Sequence, residues 1–433
     1  MTRVSELSLL TGWLPVVLTV LGVLGAVWLM FPRARRYRTA TMPVALLGAA
    51  VLTVALYLFV EEVWRPFPDP IALSVYTLIG IGLAPILLLV PRIRVRRTVW
   101  TGVVTVFGAV AVLVAVGTGL NLVYASYPTV GAALGVDAVE RVDTDQLTQL
   151  RGQVISGRPL ESVWSAPAGL PEGGKVLTAA VPPTASGFGT RDAQIYLPPA
   201  YFADPRPLLP VLVLLAGEPG AAQDWFVAGQ LAETMDEFAR AHRGLAPVVV
   251  VADGTGGQLE NPLCLDSRLG NVATYLAVDV PAWTRANLQI DPDPRAWAVG
   301  GLSYGGTCAL QLATNYPQVY PTFLDMSGQD EPTLGDRQRT VEAAFGGDTA
   351  ALLRVNPLDL MLSRTYPDSA GAFVVGADDE QYRPQVERMF QAAKVAGMDV
   401  RLQIVPGEHN FAVWSTGLRV QLPWLATRLG IAP

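Results

Sequence analysis

Four long apolar stretches near the start of the chain constrain its fold most strongly. None of them contains an acidic or basic residue, and each reaches the ~20 residues that a helix needs to cross the hydrocarbon core of a membrane. The sequence therefore predicts four transmembrane helices, at residues 9–31, 42–60, 71–90 and 99–124.

The composition of the 433-residue chain agrees with membrane helices: 51% of the residues are hydrophobic and only 16% are charged, which is too apolar for an ordinary soluble enzyme. Transport pathways for polar cargo usually place ionisable side chains within the spans, and these spans have none. We interpret them as an anchor, with a small lipid-handling role as the alternative. The first span is too long, and is followed by too many others, to be a cleavable signal peptide.

The arginines predict the orientation of the anchor. Four lie in each of two loops, at residues 33–38 and 92–97, whereas the loop between them, 61–69, carries three carboxylates and one arginine. Positively charged loops remain on the cytoplasmic side. Both ends of the chain are therefore expected outside, which makes it a multi-pass protein of the cell membrane with everything after residue 124 extracytoplasmic.

Three regions follow from these patterns. Residues 1–125 are the predicted four-helix anchor, residues 126–175 are a linker ending in a Pro/Gly-rich stretch, and residues 176–433 form the predicted catalytic domain. In the last region eight short β-rich runs alternate with helical patterns, and several of the runs are continuously apolar. Such runs are typical of strands covered on both faces, so the fold class is α/β with a mostly parallel, doubly wound sheet.

The sequence GLSYG, at residues 301–305, follows one of these apolar runs and precedes a helix of small and apolar residues. In that context G-x-S-x-G is the nucleophile elbow of an α/β-hydrolase, where a strained turn exposes the serine hydroxyl and the glycines relieve backbone crowding. Ser303 is the candidate nucleophile.

A serine hydroxyl needs a base within hydrogen-bond reach, and the base needs a third group that orients it. The chain has two histidines. Only His409, after the last predicted strand, satisfies the chain order serine, acid, histidine; His242 lies in a charged helical segment and is interpreted as a solvated helix residue. The acid should follow the strand AFVVG, where spacing alone does not separate Asp378, Asp379 and Glu380.

The oxyanion hole requires two backbone N–H donors. One belongs to the residue after the nucleophile, Tyr304, and the other to the loop AGEPG after an earlier strand, where we assign it to Glu218.

Residues 176–429 resemble the putative-esterase family of α/β-hydrolases, which includes S-formylglutathione hydrolases (esterase D), feruloyl and enterochelin esterases, and the mycolyltransferases. The resemblance is carried by LLAGEPG, GGLSYGG, GADDEQY and PGEHNFAVW. In esterase D-like members the fourth residue of G-x-x-D is the acid, which selects Asp379 here, whereas mycolyltransferases use a glutamate. The family's G-x-H with a tryptophan five residues on matches Gly407, His409 and Trp414. Ala216 departs from the histidine or other polar residue of many relatives.

Several other residues have two interpretations. Cys264 and Cys308 form either a disulfide or a pair of buried thiols. The polar loop 253–266 lines the substrate pocket or is an ordinary surface loop. Three tryptophans could line a groove, although core packing is favoured for each: Trp225, Trp283 and Trp414.

The expected partners are few. No Cys/His cluster has metal-ligand spacing, so neither a metal nor a cofactor is predicted, and a net charge of −6 argues against nucleic acid. The resemblance implies acyl transfer through a serine ester, with an ester of a lipid or glycan as the partner and membrane lipids around the anchor. The leading hypothesis is an extracytoplasmic serine esterase of the cell envelope. An envelope acyltransferase and a catalytically silent scaffold are the alternatives, and the oligomeric state is left open.

Overall fold

The computed structural model describes residues 2–95, 98–136, 140–142 and 152–433. The chain divides into two compact units, here called the helical unit, 1–136, and the sheet unit, 137–433. Arg96 and Arg97 of the second basic loop lie outside the described residues, as do parts of the predicted linker.

The helical unit contains four helices that are long and apolar enough to cross a membrane, and they coincide with the four predicted stretches. The second of them is extended at both ends by π-helical turns, Tyr37–Thr41 and Phe59–Trp64. The α-helices are α1 (Thr2–Ser5), α2 (Trp13–Met30), α3 (Met42–Leu58), α4 (Leu73–Val95), α5 (Val99–Tyr124) and α6 (Val130–Ala133).

Three helix pairings hold the helical unit together: α2 packs mainly against α5, α3 packs mainly against α4, and α4 also packs against α5. In the first pair the backbones meet at Gly25 and Gly108. A Cβ at Gly25 would lie 2.3 Å from the Gly108 carbonyl oxygen, so only glycine permits this approach. Small residues at such crossings are typical of helices that associate in lipid.

The sheet unit is built on nine strands whose order is β1-β3-β4-β7-β6-β10-β11-β12-β13. Neighbours are parallel except where β4 pairs with β3 and β7. The strands are β1 (Arg141–Val142), β3 (Lys175–Ala179), β4 (Ala193–Leu197), β6 (Val211–Leu215), β7 (Val248–Ala252), β10 (Trp297–Leu302), β11 (Thr322–Met326), β12 (Ala370–Gly376) and β13 (Asp399–Val405), and two small pairs lie apart from them: β2 (Val154–Ile155) with β5 (Arg206–Pro207), and β8 (Asp266–Ser267) with β9 (Gly270–Asn271).

All eight β-rich runs predicted as strands form strands of this mostly parallel sheet. The central strands are buried along their whole length, β6, β7, β10 and β11 among them, because helices alternate with the later strands as expected for an α/β fold. Three of the largest fully buried side chains are Trp225, Trp297 and Phe373.

The helices of the sheet unit are α7 (Leu160–Val163), α8 (Ala222–Val227), α9 (Leu231–Ala241), α10 (Val272–Thr274), α11 (Val280–Asn287), α12 (Tyr304–Asn315), α13 (Arg337–Phe345), α14 (Thr349–Leu353), α15 (Pro357–Ser363), α16 (Arg383–Val395) and α17 (Phe411–Leu429).

The segment predicted as a linker, 126–175, contributes to both units. It contains helix α6 in the helical unit and strands β1 and β2 in the sheet unit. Strand β1 pairs in parallel with β3 at the edge of the large sheet. These elements are too short for a periodic pattern to show in the sequence.

Candidate active site

The turn between β10 and α12 presents Ser303 in a strained conformation, with φ 54° and ψ −120°. Backbone at positive φ is uncommon for a residue with a side chain and marks a functional constraint when the surrounding structure enforces it. Here Gly301 and Gly305 permit it: a Cβ at Gly301 would lie 2.3 Å from the Gly305 carbonyl, and a Cβ at Gly305 would lie 2.4 Å from the Leu215 oxygen. The Ser303 N–H donates to the Met326 carbonyl at 2.8 Å.

The structure brings Ser303, His409 and Asp379 together. His409 Nε2 lies 3.0 Å from Ser303 Oγ, and His409 Nδ1 lies 2.9 Å from Asp379 Oδ2. The histidine follows β13 in a loop whose Asn410 side chain accepts hydrogen bonds from the first N–H groups of α17. When an imidazole contacts a hydroxyl on one side and a carboxylate on the other, it can activate the hydroxyl as a nucleophile.

Burial separates the three consecutive carboxylates after β12. Asp379 is 4% exposed, whereas Asp378 and Glu380 are exposed. Asp379 also accepts the Tyr382 N–H on its second oxygen at 3.0 Å, so both of its carboxylate oxygens are held. Asp379, which the resemblance selected, is therefore the acid that contacts the histidine.

Two aromatic rings fix the plane of His409. Tyr382 stacks face to face on the imidazole, with centroids 3.9 Å apart and an interplanar angle of 19°. Trp414 meets it edge-on at 4.9 Å and is itself anchored, since its Nε1–H donates to Ser327 Oγ at 3.2 Å. The sequence reasoning missed Tyr382, although it lies three residues after Asp379 in the segment GADDEQY. The closeness of Tyr382 to the predicted acid could have identified it as a residue of the site.

The loop assigned to the oxyanion hole lies beside the nucleophile. A Cβ at Gly217 would lie 3.4 Å from Ser303 Cβ, and the neighbouring Glu218 carboxylate accepts a hydrogen bond from Asn261 Nδ2 at 2.5 Å. Tyr304, the residue after the nucleophile, begins α12 and is buried, and its hydroxyl donates to the Gly254 carbonyl at 2.9 Å. Burial, together with the Glu218 charge, raises the pKa of Tyr304 well above its usual value.

An ion pair that sequence reasoning also missed connects this loop to the next one. Arg191 contacts Asp253 at 2.8 Å and donates to the Gly220 carbonyl at 3.0 Å and to Thr255 Oγ1 at 2.7 Å. Burial opposes ionisation of Asp253, but the hydrogen bonds and charge of Arg191 outweigh it and lower the Asp253 pKa. No local pattern marks such a pair, because its members are far apart in the sequence.

The loop 253–266 is attached to the elbow helix. Cys264 and Cys308 form a disulfide with a Cα–Cα distance of 5.4 Å, which resolves the alternative that the sequence left open. The Leu263 carbonyl also accepts a hydrogen bond from Gln311 of α12 at 3.1 Å. Together with the contacts of Gly254 and Asn261, these bonds make 253–266 part of the wall around the candidate site rather than a detached surface loop.

The remaining residues considered in the sequence lie elsewhere. His242 is half-buried, pairs with Glu161 at 2.7 Å and stacks on Phe238, so it is not a solvated residue and makes no contact with Ser303. Trp225 is fully buried and donates to the Leu215 carbonyl. Trp283 packs partly buried against the core.

A buried carboxyl lies under the elbow without contacting the histidine. Asp325 on β11 accepts the Gly328 N–H at 2.8 Å, and a Cβ at Gly306 of α12 would lie 2.6 Å from its Oδ1. Burial raises the pKa of Asp325 to about 7. Among the described residues no group of three or more His, Cys, Asp or Glu side chains is arranged to hold a metal ion.

Comparison with known proteins shows which family has a similar sequence. A family model described as "Putative esterase" matches residues 189–425, more than half of the chain. An uncharacterised protein of Corynebacterium glutamicum is 38% identical over 394 residues, which cover 89% of each chain.

A shorter match, 42% identical over 62 residues, covers 14% of this chain and 18% of the diacylglycerol acyltransferase/mycolyltransferase Ag85C of Mycobacterium leprae. Among solved structures, a ferulic acid esterase has a TM-score of 0.50 at 18% identity and covers 60% of this chain and 99% of its own. At that identity the likeness concerns the fold alone, and it confirms the predicted α/β-hydrolase architecture.

Proposed function

Since this chain belongs to the Putative esterase family, we propose that it is a membrane-anchored, extracytoplasmic serine esterase that cleaves a carboxylic ester through an acyl-Ser303 intermediate. Family membership makes it a hydrolase or acyltransferase acting on esters. The proposal adds the catalytic residues, the membrane anchor and the side of the membrane. The observation that supports it most is the chain of contacts from Ser303 Oγ to His409 at 3.0 Å and from His409 to Asp379 at 2.9 Å.

Acylation uses these contacts in order. Ser303 Oγ attacks the ester carbonyl carbon while its proton passes to His409 Nε2. Asp379 accepts the Nδ1–H, which keeps Nε2 in the basic tautomer and stabilises the imidazolium that forms. His409 then gives the proton to the leaving alkoxide, and the alcohol departs from the acyl-enzyme.

The negative oxygen of the tetrahedral intermediate is stabilised by the backbone N–H groups of Tyr304 and Glu218. Donors that are already oriented before the reaction are worth ~10²–10³ each in rate, because no reorganisation is required as the charge develops. In the second half-reaction a water, activated by His409, attacks the acyl-enzyme and releases the acid.

Anchoring is supported by the helical unit. Its four long helices carry many large apolar side chains on their outer surfaces, such as Leu24, Leu47 and Phe107, which is unfavourable in water and suits hydrocarbon. The two arginine-rich loops support an orientation in which the sheet unit lies outside the cytoplasm.

An acyltransferase is the second candidate, favoured by the local match to a diacylglycerol acyltransferase/mycolyltransferase. In that reaction an acceptor hydroxyl of an envelope glycan or lipid, rather than water, attacks the acyl-enzyme. Acylation of Ser303 is common to both reactions, so the two differ only in what resolves the intermediate.

The first test is labelling of the detergent-solubilised full chain with a fluorophosphonate probe, comparing the wild type with Ser303→Ala and His409→Ala. The expected result is labelling of the wild type that both substitutions abolish, followed by turnover of p-nitrophenyl esters. Rapid labelling with almost no hydrolysis would favour the transferase. A wild type that does not label would refute the mechanism and leave the scaffold hypothesis.

The side of the membrane is tested separately. A reporter enzyme that is active only outside the cytoplasm, fused after Pro433, should be active. Activity of a cytoplasm-specific reporter at the same position would refute the proposed orientation but would not bear on the proposed catalytic mechanism.

A further inference from the structure

The helical unit contains an apolar cavity of about 480 Å³, lined by all four of its long helices. Its floor is formed by buried residues, among them Leu29 of α2, Leu88 of α4 and Val112 of α5. Its rim is exposed, and includes Val54 of α3 and Ile81 of α4. A buried floor with an exposed rim describes a cleft that opens to the surroundings of the bundle.

The way the helices pair explains the cleft. Because α2 packs mainly on α5 and α3 mainly on α4, the space between α2 and α3 is left unfilled. Pro85, at the floor of the cleft, lies inside α4, where it removes the N–H that would bond to the Ile81 carbonyl and so favours a bend. Small side chains in the lining leave the space between the helices open: Ala26, Ala49, Ala50, Gly80 and Ala84.

The lining leaves little for a polar ligand to bind. Its side-chain polar atoms are the hydroxyls of Thr53 and Thr77, and each already donates to a carbonyl of its own helix, Ala49 and Leu73 respectively. A water molecule needs two to four polar partners to occupy a cavity stably. The volume nevertheless falls within the range of ligand pockets, roughly 300–1,000 Å³.

The shape suits an extended chain. The lining of α4 runs from Thr77 to Leu88, which at ~1.5 Å per residue is a length of about 16 Å along the helix. An empty cleft would deprive its lining atoms of dispersion contacts, and in the hydrocarbon core the mobile apolar groups are the acyl chains of lipids.

We propose that this cleft is a binding site for one acyl chain of a membrane lipid. The chain lies along α4 with its polar end directed past Leu29 and Leu88 toward the arginine-rich loops, and its methyl end toward Thr53 and Thr77 near the middle of the predicted spans. The site depends on the proposed insertion of the helical unit in the membrane and is independent of the proposed chemistry at Ser303.

The test uses the full chain in nanodiscs made of equal parts phosphatidylethanolamine and phosphatidylglycerol, with a trace of phosphatidylcholine that carries a diazirine near the end of one acyl chain. After irradiation, peptide mass spectrometry locates the adducts. Two variants fill the cleft, Ala50→Phe at the exposed rim and Ala84→Phe in the wall. Ala55→Phe is the matched control, since Ala55 lies on α3, is exposed and does not line the cleft.

Adducts are expected to concentrate where the methyl end lies, at Thr53 and Thr77, and to fall at least about fivefold in both filling variants while Ala55→Phe resembles the wild type. Because Ala50 is exposed, its replacement leaves the helix contacts intact even where Ala84→Phe disturbs them. Adducts spread evenly over outward positions such as Val23 and Val51, unaffected by filling, would refute the site.

An unlabelled cleft with two copies of the protein in each disc would show that a second copy occupies the cleft, and would also refute the proposal. A chain that does not enter the discs would overturn both the insertion and the site. Labelling of Ser303 by a fluorophosphonate in the same sample reports the chemistry, so failure of the catalytic proposal is distinguishable from failure of the lipid site.

Discussion

The helical unit and the sheet unit differ in where their apolar side chains lie: many are exposed in the first and most are buried in the second. In the helical unit Leu24 is 60% exposed and Phe107 is 71% exposed. In the sheet unit Leu214 and Phe373 are completely buried. Apolar side chains therefore face outward where the surroundings are proposed to be lipid and inward where they are water, because the free energy of transfer depends on the medium outside the protein.

The two units also differ in what holds them together. The helical unit depends on close approach of backbones, as at Gly25 and Gly108, since burial of apolar area gives no advantage between helices in lipid. The sheet unit depends on strand pairing and on large buried side chains such as Trp225 and Trp297. Substitutions should therefore have separable effects on the two units.

The largest expected effect lies at the candidate site in the sheet unit. Asp379→Asn should lower kcat for p-nitrophenyl acetate ~10³–10⁴-fold, because an amide no longer holds His409 in the required tautomer. Asp378→Asn is the matched control and should stay within about twofold of the wild type, since Asp378 is exposed. Steady-state hydrolysis by the solubilised full chain measures both. A comparable loss in Asp378→Asn would reassign the acid.

A substitution at the helix crossing should break the helical unit alone. In Gly25→Val the new Cβ would lie 2.3 Å from the Gly108 oxygen, which forces α2 and α5 apart and costs about 1–3 kcal/mol of stability. Gly102→Val is the control, because a Cβ there meets nothing within 4 Å. Thermal unfolding of the chain in detergent measures the difference. Fluorophosphonate labelling at low temperature should be unchanged in both variants, and a loss of labelling in Gly25→Val would show that the units are not separable.

A smaller effect is expected where an aromatic ring positions the base. Tyr382→Leu removes the ring that stacks on His409 at 3.9 Å and should lower kcat/KM and the rate of fluorophosphonate labelling about tenfold, which corresponds to a stacking contribution of about 1.4 kcal/mol. Tyr382→Phe keeps the ring and should restore both rates. If the phenylalanine variant loses as much as the leucine variant, the hydroxyl and not the ring is responsible.

The smallest effect concerns stability and pH. Because burial raises the Asp325 pKa to about 7, the folded protein holds a proton that the unfolded chain releases above its ordinary pKa of ~4. The contribution is most favourable in acid and is lost as the pH rises through 7, amounting to about 1 kcal/mol between pH 6 and 8.

Asp325→Asn stays neutral at every pH and should remove that part of the dependence of the melting temperature. The exposed Asp378→Asn should retain it. Identical pH dependence in the wild type and in Asp325→Asn would show that Asp325 does not titrate in this range.

Much of the architecture could be predicted from local patterns. The four long helices follow from uninterrupted apolar runs, and the eight principal strands follow from short β-rich runs. Ser303 follows from glycines at positions two before and two after it, which the crowding at Gly301 and Gly305 explains. His409 stood out because one of only two histidines follows the last strand.

Other parts of the site could not be predicted, because they depend on contacts between distant segments. Spacing gave Asp378, Asp379 and Glu380 equal standing, and it required the family resemblance to choose among them. Arg191 and Asp253 are joined across two loops with no motif around either. Strand β1 is too short for its pairing with β3 to show in the sequence.

The sequence by itself determined which part of the chain suits lipid and which suits water, and where the strained turn of the nucleophile lies, because both depend on the polarity and size of neighbouring residues. Only the tertiary structure decided which ring stacks on His409, that Cys264 and Cys308 pair, and that a cleft remains between α2 and α3. Those features depend on how separate elements pack, and packing is set by the shapes of side chains that are remote from one another in the sequence.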